Sequence, residues 1–177
     1  MERATSVVIT GRGQSGFSLL ELILVIVVMV VALTVLAPRL ADLSGDAHRS
    51  SVSSTAGAFA SAVVLVRSRW TASGAEGAVE NLRGFGSDDI NVSHKGWPVS
   101  VNGGTDPRQL ALQDCLDLWR SLLQSNAPSI ARQPAEGVIY QALLEQGRCH
   151  YRYLEAEGRY GFHYDPQQGE VVTILNE

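Results

Sequence analysis

The feature that most constrains this chain is an apolar run over residues 17–37, which carries one carboxylate, Glu21, near its start. A helix of about 20 residues spans the roughly 30 Å hydrocarbon core of a bilayer, so a run of this length predicts a membrane-crossing helix. A secretory signal has a shorter apolar region, about 7 to 15 residues, followed by a small-residue cleavage site. This run instead ends in the sequence PRL at residues 38–40, so we expect a retained anchor.

The charges before the run predict its orientation in the membrane. Residues 1–16 carry Arg3 and Arg12 against a single acid, Glu2. Basic residues beside an apolar segment favour leaving that end in the cytoplasm. We therefore expect the rest of the 177-residue chain, which is long enough for one domain of ordinary size, to be exported.

The only two cysteines, Cys115 and Cys149, both follow the apolar run. An even pair of cysteines in an exported domain predicts a disulfide, which in the chain-entropy model stabilises a loop of this size by about 3 to 4 kcal/mol. Two unrelated buried thiols are the alternative. A zinc site is not indicated, because neither cysteine has a second ligand at the spacing of such sites.

Glu21 needs a partner, because an ionised carboxylate near the centre of a membrane helix costs about 2.5 kcal/mol or more. The apolar run contains no Lys, Arg or His. If a protease cut after Gly16, the new α-amine of Phe17 would lie one helical turn from Glu21. In a stack of identical chains, each amine would pair with Glu21 of a neighbour and fix the register of an otherwise featureless contact.

The sequence GFSLLE at residues 16–21, followed by the apolar run, resembles the processing motif of type IV pilins and of type II secretion pseudopilins. The resemblance implies that a prepilin peptidase cleaves between Gly16 and Phe17 and N-methylates Phe17. It also implies that Glu21 supports subunit assembly and that Pro38 bends the helix.

The chain after Pro38 predicts a second half of the same helix. Apolar residues recur there at spacings of three and four, the pattern of an amphipathic helix: Val52, Ala56, Phe59, Ala60, Val63, Val66 and Trp70. We predict one helix from Phe17 to Thr71 or Ala72, with looser structure around residues 44–46, where Gly weakens it.

The resemblance implies the type IV pilin fold, an α+β architecture in which a long bent N-terminal helix packs on a small antiparallel sheet. It divides the chain into a cleaved leader (1–16), a transmembrane and polymerisation half-helix (17–38), an amphipathic half-helix (39–72) and an extracytoplasmic globular head (73–177).

Within the head, Asp106 followed by Pro107 and Gln109 predicts the capped start of a second helix. Its apolar stripe, which places Cys115 toward the core, consists of Ala111, Cys115, Leu118, Trp119 and Leu122. Short strands are expected at residues 90–92 and 97–101, and residues 137–144 fit a strand or a helix.

The C-terminal region predicts an antiparallel meander. A two-residue turn at Glu157-Gly158 would place Tyr153 opposite Phe162 and Tyr151 opposite Tyr164, with Cys149 on the same aromatic face. The other face would pair Arg152 with His163 and His150 with Asp165, and residues 170–175 would form a third strand.

No metal, cofactor or catalytic site is predicted. Asp88, Asp89 and Asn91 offer oxygen ligands for calcium, but a solvated turn is the favoured interpretation because the spacing of an EF-type loop is absent. His150 and His163 could bind a metal from adjacent strands, although exposed cross-strand pairing explains them equally well. No nucleophile, acid and base combine in a recognisable motif, so we predict that the protein is not an enzyme.

The charge balance disfavours a broad nucleic-acid-binding surface. The chain has 14 Lys and Arg against 18 Asp and Glu, a formal net charge of −4. Binding to nucleic acid relies on neutralising phosphates with basic residues. The net charge does not exclude a local basic patch formed by Arg67, Arg69 and Arg83.

The resemblance implies a structural subunit, major or minor, of a type IV pilus used in adhesion or motility; the alternative is a pseudopilin of a type II secretion system. A bridge between the two cysteines favours the pilus, because pilin heads commonly carry one. The tracts GWP at 96–98 and CLDLW at 115–119 are similar to pilins of the mannose-sensitive haemagglutinin type.

The same resemblance implies partners and a location. The partners would be a prepilin peptidase, other pilin subunits and the inner-membrane assembly machinery. Before assembly the protein would sit in a bacterial inner membrane with its head in the periplasm, and afterwards in a filament at the cell surface. Neither a receptor nor the choice between major and minor subunit follows from the residues.

Overall fold

The protein is described here from a computed structural model, which covers residues 18–156 and 158–175, with the backbone alone described at residues 35 and 37–44. The chain divides into two units, Met1–Asp42 and Leu43–Glu177. The helices are α1 (Leu19–Ala72) and α2 (Leu112–Leu123), with 3-10 turns at Pro107–Gln109 and Gln124–Asn126. The strands are β1 (Asn91–Val92), β2 (Pro98–Ser100), β3 (Ile130–Ala131), β4 (Tyr140–Glu145), β5 (Arg148–Tyr153), β6 (Tyr160–Asp165) and β7 (Glu170–Leu175).

Helix α1 starts in the first unit and ends in the second. It is helical at residues 44–46, so the prediction of looser structure there is wrong. One glycine in a helix costs only about 1 kcal/mol relative to alanine, which the turns on either side can offset. The bend at Pro38 stays a prediction. Over residues 18–156 and 158–175, no helix is long and apolar enough to cross a membrane.

In the second unit, α1 buries the face that its sequence pattern predicts. The stripe residues Val52, Ala56, Phe59, Val63 and Val66 are at most 2% exposed. Phe59 contacts the sheet, with its ring centroid 5.3 Å from that of Tyr151 and 5.5 Å from that of Phe162. The predicted packing of this half-helix on the sheet is therefore confirmed.

The main sheet has five strands in the order β3-β4-β5-β6-β7. Strands β4 to β7 form an antiparallel meander, while β3 pairs with β4 in parallel. The ambiguous region around residue 140 is a strand, because β4 pairs along its whole length with β5. Strands β1 and β2 form a separate two-stranded antiparallel sheet. The unit is thus α+β, as expected.

The predicted hairpin register is wrong by two residues. Tyr151 lies opposite Phe162, and His150 lies opposite His163. Strand β5 ends at Tyr153 and β6 begins at Tyr160, so six residues separate the strands where the prediction has a two-residue turn. Within this connection the side chain of Ala156 is buried. A shift of two residues keeps each side chain on its predicted face, so the aromatic face still points into the core.

The second helix does not begin where its capping pattern predicts. Asp106 does cap a helical start, and its carboxylate accepts a hydrogen bond from the backbone nitrogen of Arg108, but that 3-10 turn ends at Gln109. Residues 110 and 111 are extended, and α2 starts afresh at Leu112. There Asp114 accepts a 2.7 Å hydrogen bond from the backbone nitrogen of Ala111, which satisfies a free donor of the new first turn.

Candidate functional site

The residues tied by sequence to processing and assembly lie at the start of the chain. Gly16 and Phe17 lie outside the described residues. Glu21 is the acidic residue in the first turn of α1 and is exposed. None of the ion pairs found in the described ranges includes it. Its carboxylate is therefore available to a group outside this part of the chain.

The large apolar side chains around Glu21 are exposed between Leu19 and Leu36, where the structure describes them. Their exposed fractions run from 41% at Val25 to 75% at Leu19. The hydroxyl of Thr34 donates a 2.8 Å hydrogen bond to the carbonyl oxygen of Val31, so this polar group is satisfied within the helix. The described side chains of α1 between Leu19 and Leu36 thus form an almost wholly apolar surface with one carboxylate, that of Glu21.

The two cysteines form a disulfide between α2 and β5, with their Cα atoms 5.4 Å apart. This agrees with the pairing expected from the sequence. Cys115 and Cys149 are both fully buried. Beside them the hydroxyl of Tyr151 donates a 2.9 Å hydrogen bond to the carbonyl oxygen of Cys115. Burial raises the pKa of the Tyr151 phenol well above its usual range.

The residues considered for calcium are all engaged with other parts of the protein. Asp88 accepts a 2.6 Å hydrogen bond from the backbone nitrogen of Gly84. Asp89 accepts one of 3.3 Å from the hydroxyl of Ser121. The buried amide of Asn91 accepts from the backbone nitrogen of Asn81 and donates to the carbonyl oxygen of Gly103. These oxygens therefore hold loops together.

In the described part of the chain, no three His, Cys, Asp or Glu residues are grouped so as to hold a metal ion. Two histidines do lie together on neighbouring strands. His150 and His163 face each other across β5 and β6, with ring centroids 5.1 Å apart. Burial lowers the pKa of His150, with smaller opposing and reinforcing effects from nearby charges.

A third histidine, His48, belongs to a hydrogen-bonded network between α1 and the sheet. The hydroxyl of Tyr153 donates a 2.7 Å hydrogen bond to a carboxylate oxygen of Glu155 and lies 3.1 Å from Nδ1 of His48. Burial, and next the hydrogen bond to Glu155, raises the pKa of Tyr153 to about 12. The phenol therefore stays protonated at neutral pH and acts as a structural donor.

Two of the three arginines considered as a basic patch, Arg67 and Arg69, contact neighbouring groups through their side chains. The guanidinium of Arg67 lies 4.2 Å from the ring centroid of Trp97, within the range of a cation–π contact. Nε of Arg69 donates a 2.7 Å hydrogen bond to the carbonyl oxygen of Arg83. Two of the three thus stabilise the packing of α1 on its surroundings.

Comparison with known proteins gives no relatives for this chain. No protein-family model, no curated protein and no solved structure matches it.

Proposed function

We propose that this protein is a structural subunit of a type IV pilus, processed by a prepilin peptidase and assembled through its N-terminal helix. The observation that carries the proposal is the sequence GFSLLE at residues 16–21 directly before a bilayer-length apolar run. The structure does not describe residue 17 or the side chains of residues 35 and 37, so the length of the apolar run is taken from the sequence.

The exposed apolar surface of the first unit supports the proposal. Large exposed apolar patches mark surfaces that contact other proteins or lipid. The large apolar side chains of α1 between Leu19 and Leu36 are all at least 41% exposed where the structure describes them. A helix with this surface needs a lipid bilayer before assembly and other helices afterwards.

Glu21 supplies the specificity that an apolar contact lacks. A carboxylate among apolar helices is costly unless it is paired, so it favours the one register that brings a cation to it. The α-amine of a chain that begins at Phe17 is such a cation. Assembly of the filament would then depend on cleavage, because the amine exists only after the leader is removed.

The features of the second unit support the proposal that it is a secreted head. It is an α+β unit with a buried disulfide, and disulfides persist in oxidising compartments outside the cytoplasm. A bridge of this kind favours a pilus subunit over the alternative, a pseudopilin of a type II secretion system.

The test is to shear filaments from the native host and look for the protein in them. We expect it in the sheared fraction of wild-type cells and not in that of cells without prepilin peptidase. A protein that stays in the membrane fraction while secretion depends on it would favour the pseudopilin alternative.

The pairing of Glu21 is tested by Glu21→Gln, which keeps the shape of the side chain and removes its charge. We expect a lower filament yield with cleavage after Gly16 largely intact. Glu80→Gln, an exposed acid in the second unit, is the matched control and should assemble normally. Normal filaments from Glu21→Gln would contradict the pairing.

A further inference from the structure

The corrected register brings two histidines directly together on the outer face of the sheet. His150 on β5 and His163 on β6 are Cα partners, and both are half-buried. Their neighbours in sequence, Tyr151 and Phe162, point into the core. Because side chains alternate along a strand, the two imidazoles share the opposite face.

The separation of the two rings suits a metal ion bound between them. The ring centroids are 5.1 Å apart. With metal–nitrogen bonds of about 2.0–2.1 Å and a tetrahedral angle at the ion, the centres of two bound imidazoles stand roughly 5 Å apart. Imidazole nitrogen is a preferred ligand of zinc, copper and nickel. The ring planes are inclined by 29°, and the separation of the ring centres matches that of two imidazoles on one ion.

One of these imidazoles has a nitrogen without a partner. Nδ1 of His163 is buried and makes no hydrogen bond within the described ranges. A buried polar atom left unsatisfied costs about 1 to 3 kcal/mol. An ion between the rings, or a water molecule on that ion, would supply the partner.

The charges around the pair are mixed. Arg148 is paired with Asp165 at 3.1 Å, which partly offsets its charge. His150 lines a hollow of about 300 Å³ together with Glu145, Arg152 and Arg159. Glu145 favours positive charge at His150, whereas His163, Arg148 and Arg152 oppose it. An ion would therefore approach the pair from the side of His150, where it meets one carboxylate and two guanidinium groups.

We propose that His150 and His163 form a cross-strand site for one divalent transition-metal ion of the zinc, copper or nickel class. The two imidazoles are its protein ligands, and water completes the coordination. This replaces the expectation that the two histidines are only an exposed cross-strand pair. The proposal concerns the second unit alone and does not depend on the proposed function.

The test is a calorimetric titration of the metal-free full-length protein, in detergent micelles, with zinc chloride. We expect one ion per chain in the wild type, and affinity lower by about tenfold or more in His150→Gln and in His163→Gln. His94→Gln, which changes an exposed histidine elsewhere, should bind as the wild type does. No zinc binding, or binding that both pair variants retain, overturns the proposal.

A measurement on the wild type guards against variants that fail to fold. Paramagnetic Cu²⁺, added below one equivalent, should broaden the amide NMR signals of residues around 150 and 163 before those around His48 and His94. Broadening that starts at either of the other two histidines also overturns the proposal.

Discussion

The hydroxyl of Tyr151 donates a 2.9 Å hydrogen bond to the carbonyl oxygen of Cys115, two residues along β5 from the cysteine that is bridged to Cys115. Strand β5 is therefore joined to α2 by a covalent and a hydrogen bond at the same level of the core. Tyr151 is only 1% exposed, so the bond also satisfies a hydroxyl that would otherwise be buried without a partner. This junction stabilises the second unit independently of the first.

Removing the bridge with Cys115→Ser and Cys149→Ser should lower the free energy of unfolding by about 3 kcal/mol, because the 34-residue separation is no longer closed in the unfolded chain. Urea unfolding followed by tryptophan fluorescence measures the change. Reductant should lower the wild-type midpoint and leave that of the double variant unchanged. Thiol labelling shows whether the reductant has opened the bridge completely. If it has, an unchanged wild-type midpoint would contradict a stabilising bridge.

Phe59 should be the most costly truncation on α1 in the second unit. Its fully buried ring contacts Tyr151, Phe162 and Tyr164, so Phe59→Ala would leave a cavity and cost about 3 to 5 kcal/mol. Val64→Ala on the same helix, where the side chain is 57% exposed, should change stability by about 0.5 kcal/mol at most. Similar unfolding midpoints for the two variants would contradict the packing.

Alkaline pH should destabilise the second unit, partly through Tyr153. The pKa of Tyr153 is raised from 10.0 to about 12, so over this interval the unfolded chain loses a proton that the folded chain keeps. Stability therefore falls as pH rises, by about 1.4 kcal/mol per unit for this group. In urea unfolding across this interval, Tyr153→Phe should show a shallower loss than the wild type. Equal losses of stability with pH in the wild type and in Tyr153→Phe would contradict a contribution from Tyr153.

Substitutions at two glycines distinguish the cost of backbone strain from the cost of a steric clash. Gly169 and Gly74 have φ values of +70° and +69°, where a side chain costs about 1 to 2 kcal/mol. A Cβ at Gly169 would also collide with the ring of Trp97, whereas one at Gly74 meets nothing. Gly169→Ala should therefore lower the thermal unfolding midpoint more than Gly74→Ala. Equal shifts would mean that Trp97 moves aside freely.

The buried face of α1 could be predicted from the sequence because burial there follows the helical period. Phe59 and Val66 are found where their spacing places them. Ala60 and Trp70, also in the predicted stripe, are only half-buried. Ala62 is 6% exposed although the predicted stripe does not include it, so the buried face extends to the side of Ala62.

Helix α2 buries four of its five predicted stripe residues, Cys115, Leu118, Trp119 and Leu122. The fifth, Ala111, is exposed and precedes the helix, so its placement in the stripe is wrong.

The hairpin register could not be predicted, because the length of its loop depends on a tertiary contact. Ala156 is buried, and the backbone nitrogen of Leu154 donates to the carbonyl oxygen of Ile139 on the way to β4. Neither contact is visible in the local sequence, where Glu157-Gly158 is typical of a tight turn. The same misplacement put Asp165 opposite His150, although the two histidines are already expected on adjacent strands and are direct partners in the structure.

The polar residues near Asp88 show a similar limit. The sequence favours a solvated turn over calcium binding there, and only the positions of Gly84, Ser121 and Asn81 reveal that the oxygens accept hydrogen bonds from other parts of the protein. The processing motif, by contrast, can be recognised from the sequence alone, because the resemblance depends on adjacent residues and needs no tertiary contact.

The measurement that tests the central claim most directly is the intact mass and N-terminal fragment spectrum of the protein extracted from its native host membrane. The account predicts a chain that begins with N-methylated Phe17, lacks residues 1–16 and retains Glu21. A chain that begins at Met1 in a host with an active prepilin peptidase would contradict the account and leave Glu21 in need of another partner.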